Sequence, residues 1–511
     1  MLRKIRITLA VICLAAITLL FLDFTGTAQA WWGWLARIQL LPAVLALNAG
    51  VIIGLVALTL VLGRVYCSVI CPLGVMQDIF GWLGRRGKRK KYRYRHSRAK
   101  TWLRLALLAV LILAAALGVG QVVALLAPYS SFGRIVQSFL APLWALGNNL
   151  LAGFAERHES YAFYQTDVWI RSVPTMVVAA VMLVVIGVLA WRNGRTWCNT
   201  VCPVGTVLGF LARFSLLKPV IDTSRCNKCG LCERRCKAAC IESKSHEIDY
   251  SRCVACMDCL EVCHKGAISY RLNESRFGRN KGADITAGSR TEAHREAPHD
   301  SPDRSRRAFL AGIGSLAVTA AVEAQEKKVD GGLAVIEDKK IPLRHTPIVP
   351  PGALSIANVS RHCTACQLCV EACTNGVLRP SSSLESLMQP RSSYERGYCR
   401  PECTRCSDVC PTGAIRRISA ADKSAIQIGH AVWVRENCIP VTDDVECGNC
   451  ARHCPVWAIK MVPLDPENDA SRHVPVVNVE TCIGCGACEN LCPARPLSAI
   501  YVEGHEVHRE V

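Results

Sequence analysis

Cysteine is the residue type whose number and spacing point most directly to chemistry in this 511-residue chain, which contains 30 of them. Most lie in short runs with two or three residues between neighbouring cysteines. Three thiols at a spacing of three can wrap three corners of one [4Fe-4S] cubane, while a fourth, expected to start the following helix, ligates a second cluster. Disulfide-stapled scaffolds usually have fewer than ~80 residues, so the spacing favours iron–sulfur clusters over disulfides.

The first cysteine block contains two such runs and predicts two clusters. The expected ligands are Cys226, Cys229, Cys232 and Cys263 for one cluster, and Cys253, Cys256, Cys259 and Cys236 for the other. Zinc sites usually show two separated C-x2-C pairs, which these runs do not resemble. Lys237 stands where proline usually follows the fourth cysteine, and Cys240 competes with Cys236 for one ligand position. The spacing favours Cys236.

The second block contains four runs that share the ending x2-Cys-x3-Cys, and it predicts four more cubanes. Its sixteen candidate ligands are Cys363, Cys366, Cys369, Cys373, Cys399, Cys403, Cys406, Cys410, Cys438, Cys447, Cys450, Cys454, Cys482, Cys485, Cys488 and Cys492. Small βαβ units are expected to carry these motifs. Strands are expected to begin at Ala414-Ile415, Ala458-Ile459 and Ala499-Ile500.

Four further cysteines form two copies of an aromatic-C-x3-C-P motif, at Cys67 and Cys71 and at Cys198 and Cys202. Thiols at positions i and i+4 share one face of a helix. They are candidates for an additional metal site, for a dithiol–disulfide pair, or for plain packing. The sequence shows no Walker motif, no dinucleotide-binding glycine motif, no hydrolytic triad signature and no haem-attachment motif, so no catalytic residue is assigned.

Four apolar runs, at 5–22, 38–63, 103–126 and 174–191, are long enough to cross a bilayer and predict a four-helix transmembrane unit. The stretch 85–100 holds ten Lys and Arg and no acid, whereas the loop 128–173 balances its charges. The positive-inside rule then places both ends of this unit in the cytoplasm. Much of the +19 net charge is explained by this asymmetry, and no nucleic-acid partner is needed.

A cysteine-free segment separates the two blocks. Residues 272–304 are polar and charged, as in a flexible linker. Arg306 and Arg307 then precede a short apolar stretch that ends near Ala324 in a form typical of cleavage sites. Residues 305–324 therefore resemble an internal twin-arginine export signal.

The sequence thus predicts a multidomain chain of a helical transmembrane unit and α+β domains of the bacterial ferredoxin type. The predicted parts are a membrane unit at 1–215, a cytoplasmic two-cluster domain at 216–271, the linker, the signal, and a periplasmic four-cluster domain at 325–511. The expected location is the bacterial inner membrane.

These parts together resemble two families joined in one chain. Residues 1–270, with both C-x3-C-P motifs and the two-cluster domain, are similar to NapH and MauN membrane subunits. Residues 305–511 resemble the NapG and MauM polyferredoxins. The resemblance implies an electron conduit from quinol, or from a cytoplasmic donor, to a periplasmic reductase. It also implies that the first and fourth motifs exchange Cys373 and Cys492, and that the middle motifs exchange Cys410 and Cys454.

The C-x3-C-P thiols support an alternative, since they also resemble those of CcoG-like polyferredoxins that handle copper. Soft thiolates suit Cu(I). The alternative function is therefore a membrane metal reductase or redox assembly factor. It differs from the conduit in assigning the membrane thiols a role with metal ions.

Overall fold

The computed structural model describes residues 2–23, 25–86, 94–159, 163–166, 168–169, 171–272, 337–468 and 471–510. Residues 2–272 and 341–510 belong to one compact unit. Apart from Leu272, the predicted linker 272–304 and the predicted signal 305–324 lie outside the described residues.

Helices make up the first part of the chain. They are α1 (Leu2–Leu22), α2 (Thr27–Trp32), α3 (Trp34–Arg37), α4 (Leu40–Leu45), α5 (Ala49–Leu62), α6 (Val65–Val69), α7 (Pro72–Arg86), α8 (Thr101–Ala116), α9 (Gly120–Leu126), α10 (Pro128–Ile135), α11 (Ala141–Arg157), α12 (Val173–Asn193), α13 (Thr196–Thr200) and α14 (Pro203–Ala212). A π-helical turn at Val136–Leu140 joins α10 to α11.

Three helices in the described part are long and apolar enough to cross a membrane: Leu2–Leu22, Pro128–Arg157 and Val173–Asn193. The first and third match predicted apolar runs. The runs 38–63 and 103–126 each form two shorter helices, because the chain turns at Leu47 and at Gly118, both with positive φ. The segment expected to be a loop, 128–173, instead holds the second long helix, which begins with Pro128 at a position that suits proline.

The two C-x3-C-P motifs have the same local structure. Gly63 ends α5 and Gly194 ends α12, each with φ +68°, a conformation that glycine adopts without strain. A short helix, α6 or α13, follows and carries the first cysteine of each motif. The proline after the second cysteine starts the next helix, α7 or α14, since its missing N–H costs nothing there. The same sequence order therefore produces the same fold twice.

The first cysteine block folds around two antiparallel ribbons. Strand β1 (Leu217–Ile221) pairs with β4 (Ile268–Leu272), with Leu217 opposite Leu272. The short strands β2 (Ile241–Glu242) and β3 (Glu247–Ile248) pair with each other. Two single-turn helices, α15 (Leu231–Arg235) and α16 (Asp258–Val262), carry the cysteine motifs and pack together.

The second block has three antiparallel ribbons. They pair β5 (Leu378–Pro380) with β6 (Pro390–Ser392), β7 (Ile426–Trp433) with β10 (Ile500–Glu510), and β8 (Ile459–Pro463) with β9 (His473–Val477). Its helices are Ile356–His362, Leu368–Ala372, Arg405–Val409, Ala420–Ala425, Ile439–Thr442, Asn449–Arg452 and Ala487–Leu491, with 3-10 turns at Leu384–Ser386 and Arg435–Asn437.

The strand expectations for this block are met in part. Strands begin at Ile459 and Ile500, as predicted. Ala414 and Ile415 are buried but lie in a bend, so the prediction of a strand there is wrong. All described strand pairs are antiparallel, which differs from the expected βαβ units.

The two cysteine blocks contact opposite ends of α1. At its N-terminal end, Arg3 donates to Asp258 over 2.8 Å in the first block. At its C-terminal end, Phe21 packs on Tyr129 and Phe132 of α10, and the backbone of α10 at Gly133 lies against the carbonyl of Cys366 in the second block. A 21-residue helix is about 31 Å long. One continuous apolar core includes cysteines of both blocks.

Candidate iron–sulfur and thiol sites

The regular cysteine runs share one backbone geometry. In each run, two residues have left-handed φ: the one two positions after the first cysteine and the one directly after the second cysteine. The loop therefore curls around a centre. These residues are Lys228 and Gly230, Ala255 and Met257, Ala365 and Gln367, and Gly484 and Gly486. The curl turns backbone N–H groups toward the thiols, as where Ala365 N–H donates to Cys363 Sγ over 3.4 Å. Such bonds to sulfur tune cluster potentials.

The third and fourth cysteines of these runs flank a single helical turn. Cys232 lies in α15 and Cys236 caps its C-terminal end, and Cys259 and Cys263 stand in the same relation to α16. The expectation that the fourth cysteine starts the following helix is therefore wrong. The third cysteine lies in that helix, and the fourth follows its last residue because its extended backbone ends the helix.

Six cups result, each formed by three cysteines of one motif and the fourth cysteine of a neighbouring motif. They are cup 1 (Cys226, Cys229, Cys232, Cys263), cup 2 (Cys253, Cys256, Cys259, Cys236), cup 3 (Cys363, Cys366, Cys369, Cys410), cup 4 (Cys399, Cys403, Cys406, Cys373), cup 5 (Cys482, Cys485, Cys488, Cys454) and cup 6 (Cys438, Cys447, Cys450, Cys492).

The grouping in the first block agrees with the expected pairs, but the second block differs from the layout that the resemblance implied. Cys410 lines cup 3 with the first motif, and Cys492 lines cup 6 with the third motif. Consecutive motifs therefore exchange their fourth cysteines, first with second and third with fourth. The expected exchange between the first and fourth motifs is wrong because the chain folds each consecutive pair of motifs together.

Neighbouring cups are adjacent in a fixed order. Cys259 of cup 2 lies near Cys232 of cup 1. In the second block Cys369 of cup 3 lies near Cys406 of cup 4. The backbone N–H of Cys399 in cup 4 donates to the carbonyl of Cys485 in cup 5 over 2.9 Å. Cup 5 in turn borders cup 6. The order within the second block is therefore 3, 4, 5, 6.

Cys240 lies close to cup 2. Its Sγ is 3.5 Å from Cys236 Sγ, and it also contacts Cys253. The hydrogen bond from Cys240 lowers the pKa of Cys236 to about 7, and the same contact raises the pKa of Cys240. The structure therefore brings both competing thiols to the same side of the cup.

The donor set of each cup fits a cubane. Four thiols line each cup, and a [4Fe-4S] cluster takes one thiolate on each of four irons. Within the described residues, no three Cys, His, Asp or Glu side chains converge where a single metal ion could be held.

The four C-x3-C-P thiols, which we call the four-thiol site, come together in the helical core. Cys67, Cys71, Cys198 and Cys202 are each 4% exposed. The Arg64 guanidinium joins the two repeats: one nitrogen, Nη2, is 3.8 Å from Cys67 Sγ and donates to the Cys198 carbonyl over 3.3 Å. Arg195 makes the reciprocal contact, donating to the Cys67 carbonyl over 2.6 Å.

These arginines were not identified from the sequence, although a signal for them was present. The repeat extends upstream to Gly63-Arg64 and Gly194-Arg195, so its full form is G-R-x-[YW]-C-x3-C-P-[LV]-G. Gly74 and Gly205 are the last residues of the two repeats. Because they lack a Cβ, the helix that contains each of them can lie close to the carbonyl of the first cysteine in the same repeat. A Cβ on Gly74 would lie 2.3 Å from the Cys67 carbonyl oxygen.

A cleft beside the π-helical turn is a second feature that the sequence did not reveal. It lies where α11 and α12 meet cup 3, and its lining includes Gln137, Trp144, Trp169, Arg171, Gln367 and Glu371. Arg171 donates to Glu371 over 2.6 Å and to Gln137 over 3.3 Å. π-Helical turns often mark functional sites. No pattern in the sequence pointed to this cleft, because Gln137 and Arg171 come from a segment expected to be a loop, whereas Gln367 and Glu371 come from the second cysteine block.

The cups and antiparallel ribbons define an iron–sulfur protein of the ferredoxin type. A family described as "4Fe-4S binding domain" matches residues 45–91 and 173–221, which contain the two C-x3-C-P repeats. A family described as "4Fe-4S dicluster domain" matches residues 445–495, which contain most of the third and fourth motifs. No solved structure matches the chain.

Curated relatives identify the family. Methylamine utilization ferredoxin-type protein MauM of Paracoccus denitrificans is 34% identical over 31% of this chain and 73% of its own length. MauM of Methylophilus methylotrophus is 34% identical over 32% of this chain and 72% of its own length. Ferredoxin-type protein NapG of Escherichia coli is 29% identical over 37% of this chain and 82% of its own length. The chain belongs to the MauM family of ferredoxin-type proteins.

Proposed function

We propose that this chain is a membrane-bound conduit that takes electrons from quinol and passes them through its clusters to a periplasmic reductase. The observation that carries the proposal is the ordered series of four-cysteine cups at opposite ends of one apolar helical core. A cluster in such a cup accepts and releases one electron at a time. A series of adjacent cups suits electron transfer better than a purely structural role.

Six [4Fe-4S] clusters are proposed, one for each cup, with the 24 cup cysteines as ligands. The first block would hold two clusters and the second block four. The proposal includes the fusion of a NapH-like or MauN-like membrane part at 1–270 with a NapG-like or MauM-like part at 305–511. The similarity to MauM and NapG supports the NapG-like or MauM-like part of this proposal.

The proposed orientation follows from charge and from the placement of the blocks. The basic residues near the first block support a cytoplasmic side for it, and the twin-arginine segment supports export of the second block to the periplasm. The contacts at the two ends of α1 are consistent with blocks on opposite sides of the inner membrane. The helices of the core would form the membrane unit.

The cleft beside cup 3 is the proposed quinol site. Its apolar wall includes Trp144, which is 48% exposed at the outer face of α11, where an isoprenoid tail would approach. Gln137, Arg171 and Glu371 offer polar atoms to the hydroxyl groups of the quinol ring. Oxidation of one quinol would release two protons to water and send two electrons, one at a time, to the adjacent cluster site.

Electrons would leave from cup 6, at the other end of the series. Val445, two residues before Cys447 of cup 6, is 53% exposed, and Trp457, three residues after Cys454 of the neighbouring cup 5, is 80% exposed. Exposed apolar residues beside a redox centre are typical of a docking surface for a protein partner. The periplasmic reductase is the proposed partner at this surface.

Arg171→Leu tests the quinol site. Loss of a charged hydrogen bond to the ring is expected to raise the quinol concentration for half-maximal cluster reduction roughly tenfold or more. Arg157→Leu, at the exposed end of α11, is the matched control and should leave it unchanged. Dithionite must still reduce both variants fully. Equal quinol dependence in the two variants would exclude this cleft as the quinol site.

A further inference from the structure

Helix α10 packs directly against the loop that forms cup 3. Gly133 lies so close to this loop that a Cβ on it would be 2.5 Å from the carbonyl oxygen of Cys366. The next residue, Arg134, donates through Nη1 to the carbonyl of Ala365 over 3.4 Å. The helix therefore places a guanidinium beside the backbone that curls around cup 3.

Arg134 is a buried cation whose partners are neutral. The residue is fully buried, and its Nη2 donates to the Ala124 carbonyl over 2.9 Å and to the Ser131 hydroxyl over 3.2 Å. The negative groups that interact with it, among the described residues, are the thiolates of Cys366 and Cys363. Because a buried charge is costly unless it is paired, an anionic centre at cup 3 is the partner that Arg134 fits.

Three hydrogen-bond donors near cup 3 are buried without an acceptor in the described part of the chain. They are the Tyr129 hydroxyl, Arg134 Nε and the Thr364 hydroxyl. Thr364 follows Cys363 in the loop of the cup, and Tyr129, also in α10, lies beside Cys366. Buried polar groups are rarely left unpaired, and the sulfurs of an iron–sulfur cluster accept hydrogen bonds. These donors therefore also fit a cluster in cup 3.

We infer that Arg134, together with Tyr129, raises the reduction potential of the cluster at cup 3, so that quinol in the adjacent cleft can reduce it. The inference rests on the proposed function, which supplies both the cluster and its electron donor. The cleft and cup 3 share Gln367 and Val370 in their linings, which makes cup 3 the first acceptor.

The direction of the effect follows from the charges. Reduction adds one electron, taken from quinol, to a centre that its four thiolates already make negative. A nearby positive charge and nearby hydrogen-bond donors therefore stabilise the reduced form more than the oxidised form. At an effective dielectric constant of about 20, one charge several ångströms away changes an equilibrium roughly tenfold or more.

The test is a potentiometric titration of the anaerobically purified full chain, which follows the electron paramagnetic resonance signal that Cys363→Ser changes. In Arg134→Met, the ratio of reduced to oxidised cluster at a fixed potential is expected to fall roughly tenfold or more, at about 59 mV per tenfold for a one-electron couple. Arg134→Lys keeps the charge and should retain most of the potential. Arg361→Met, two residues before Cys363 but exposed, is the matched control and should change the ratio less than about twofold.

Tyr129→Phe is a second variant, which removes one hydroxyl and no hydrogen bond between described residues. It should lower the same ratio roughly two- to tenfold. An unchanged midpoint in Arg134→Met with full iron content would overturn the inference. Where Arg134→Met assembles no cluster at cup 3, an unchanged midpoint in Tyr129→Phe would overturn it instead.

Failure of the proposed function gives a different result from failure of this inference. An unaltered chain without a cluster at cup 3 would refute the proposed function, because both variants would then have no signal to shift. A lowered midpoint in Arg134→Met, in a chain that quinol does not reduce, would support the role of Arg134 and refute the quinol donor alone.

Discussion

Asp78→Asn is expected to detach the first cysteine block from the helical core. The Asp78 carboxylate lies in α7 and contacts three cations from different parts of the chain: Arg195 at 2.7 Å, Lys237 at 2.8 Å and Arg6 at 3.0 Å. Burial would raise the pKa of Asp78, but Arg195 and Lys237 outweigh it and hold that pKa well below its usual range. The group is therefore a carboxylate at every working pH.

The magnitude follows from what the substitution leaves behind. Asparagine keeps the volume but removes the charge, so three largely buried cations lose their shared partner. Breaking a buried ion pair by removing one partner costs about 3–5 kcal/mol. If the block opens and closes faster than it is cleaved, proteolysis of the native chain should accelerate roughly 100- to 4,000-fold. The assay is limited proteolysis of the full chain in detergent, followed by mass spectrometry of the fragments.

Two controls separate this effect from general damage. Asp222→Asn changes an exposed aspartate whose nearest cation is 3.6 Å away, and it should change the rate less than about fivefold. Arg6→Met in the Asp78→Asn background should restore part of the protection, since it removes one of the unpaired cations. Equal cleavage of the wild type and Asp78→Asn would refute the account of this charge cluster.

Three further predictions concern the second block and its quinol cleft. Cys410→Ser should change the same cluster signal as Cys363→Ser in electron paramagnetic resonance spectra, and a match to Cys447→Ser instead would refute the exchange between consecutive motifs. Burial, together with nearby His505, lowers the pKa of His508 to about 4, so the fold favours the neutral ring. Stability should therefore fall as the pH drops from about 6.5 toward 4, by at most about 3 kcal/mol, and His508→Gln should lose this component of the pH dependence of the unfolding midpoint. Gln137→Leu, at the π-helical turn, should weaken quinol-driven cluster reduction without changing reduction by dithionite, and an unaltered quinol dependence would contradict its place in the site.

Local spacing predicted the parts of the fold that are set by local geometry. The regular runs beginning at Cys226, Cys253, Cys363 and Cys482 form curled loops, because three cysteines at this spacing fix where the backbone must turn. The helices Leu2–Leu22 and Val173–Asn193 follow from continuous apolar runs. Sequence periodicity could not predict where 38–63 and 103–126 break, since the turns depend on how these helices pack against the rest of the core.

Contacts between distant segments were not predictable from one sequence. Whether Cys410 lines a cup with the first motif or with the third depends on how the second block folds. The spacing within the motifs is the same in both cases. The meeting of Cys67 with Cys198 depends on the packing of two repeats more than a hundred residues apart. The repeat itself was visible in the sequence. Its extension to Arg64 and Arg195 indicates that these arginines are part of the repeated structural unit.

The measurement that tests the central claim most directly is anaerobic reduction of the reconstituted full chain by quinol, followed by cluster absorbance and electron paramagnetic resonance. The account predicts that quinol alone bleaches clusters and produces reduced [4Fe-4S] signals, with dithionite defining full reduction. Clusters that stay oxidised under excess quinol, yet are reduced by dithionite, would contradict the account.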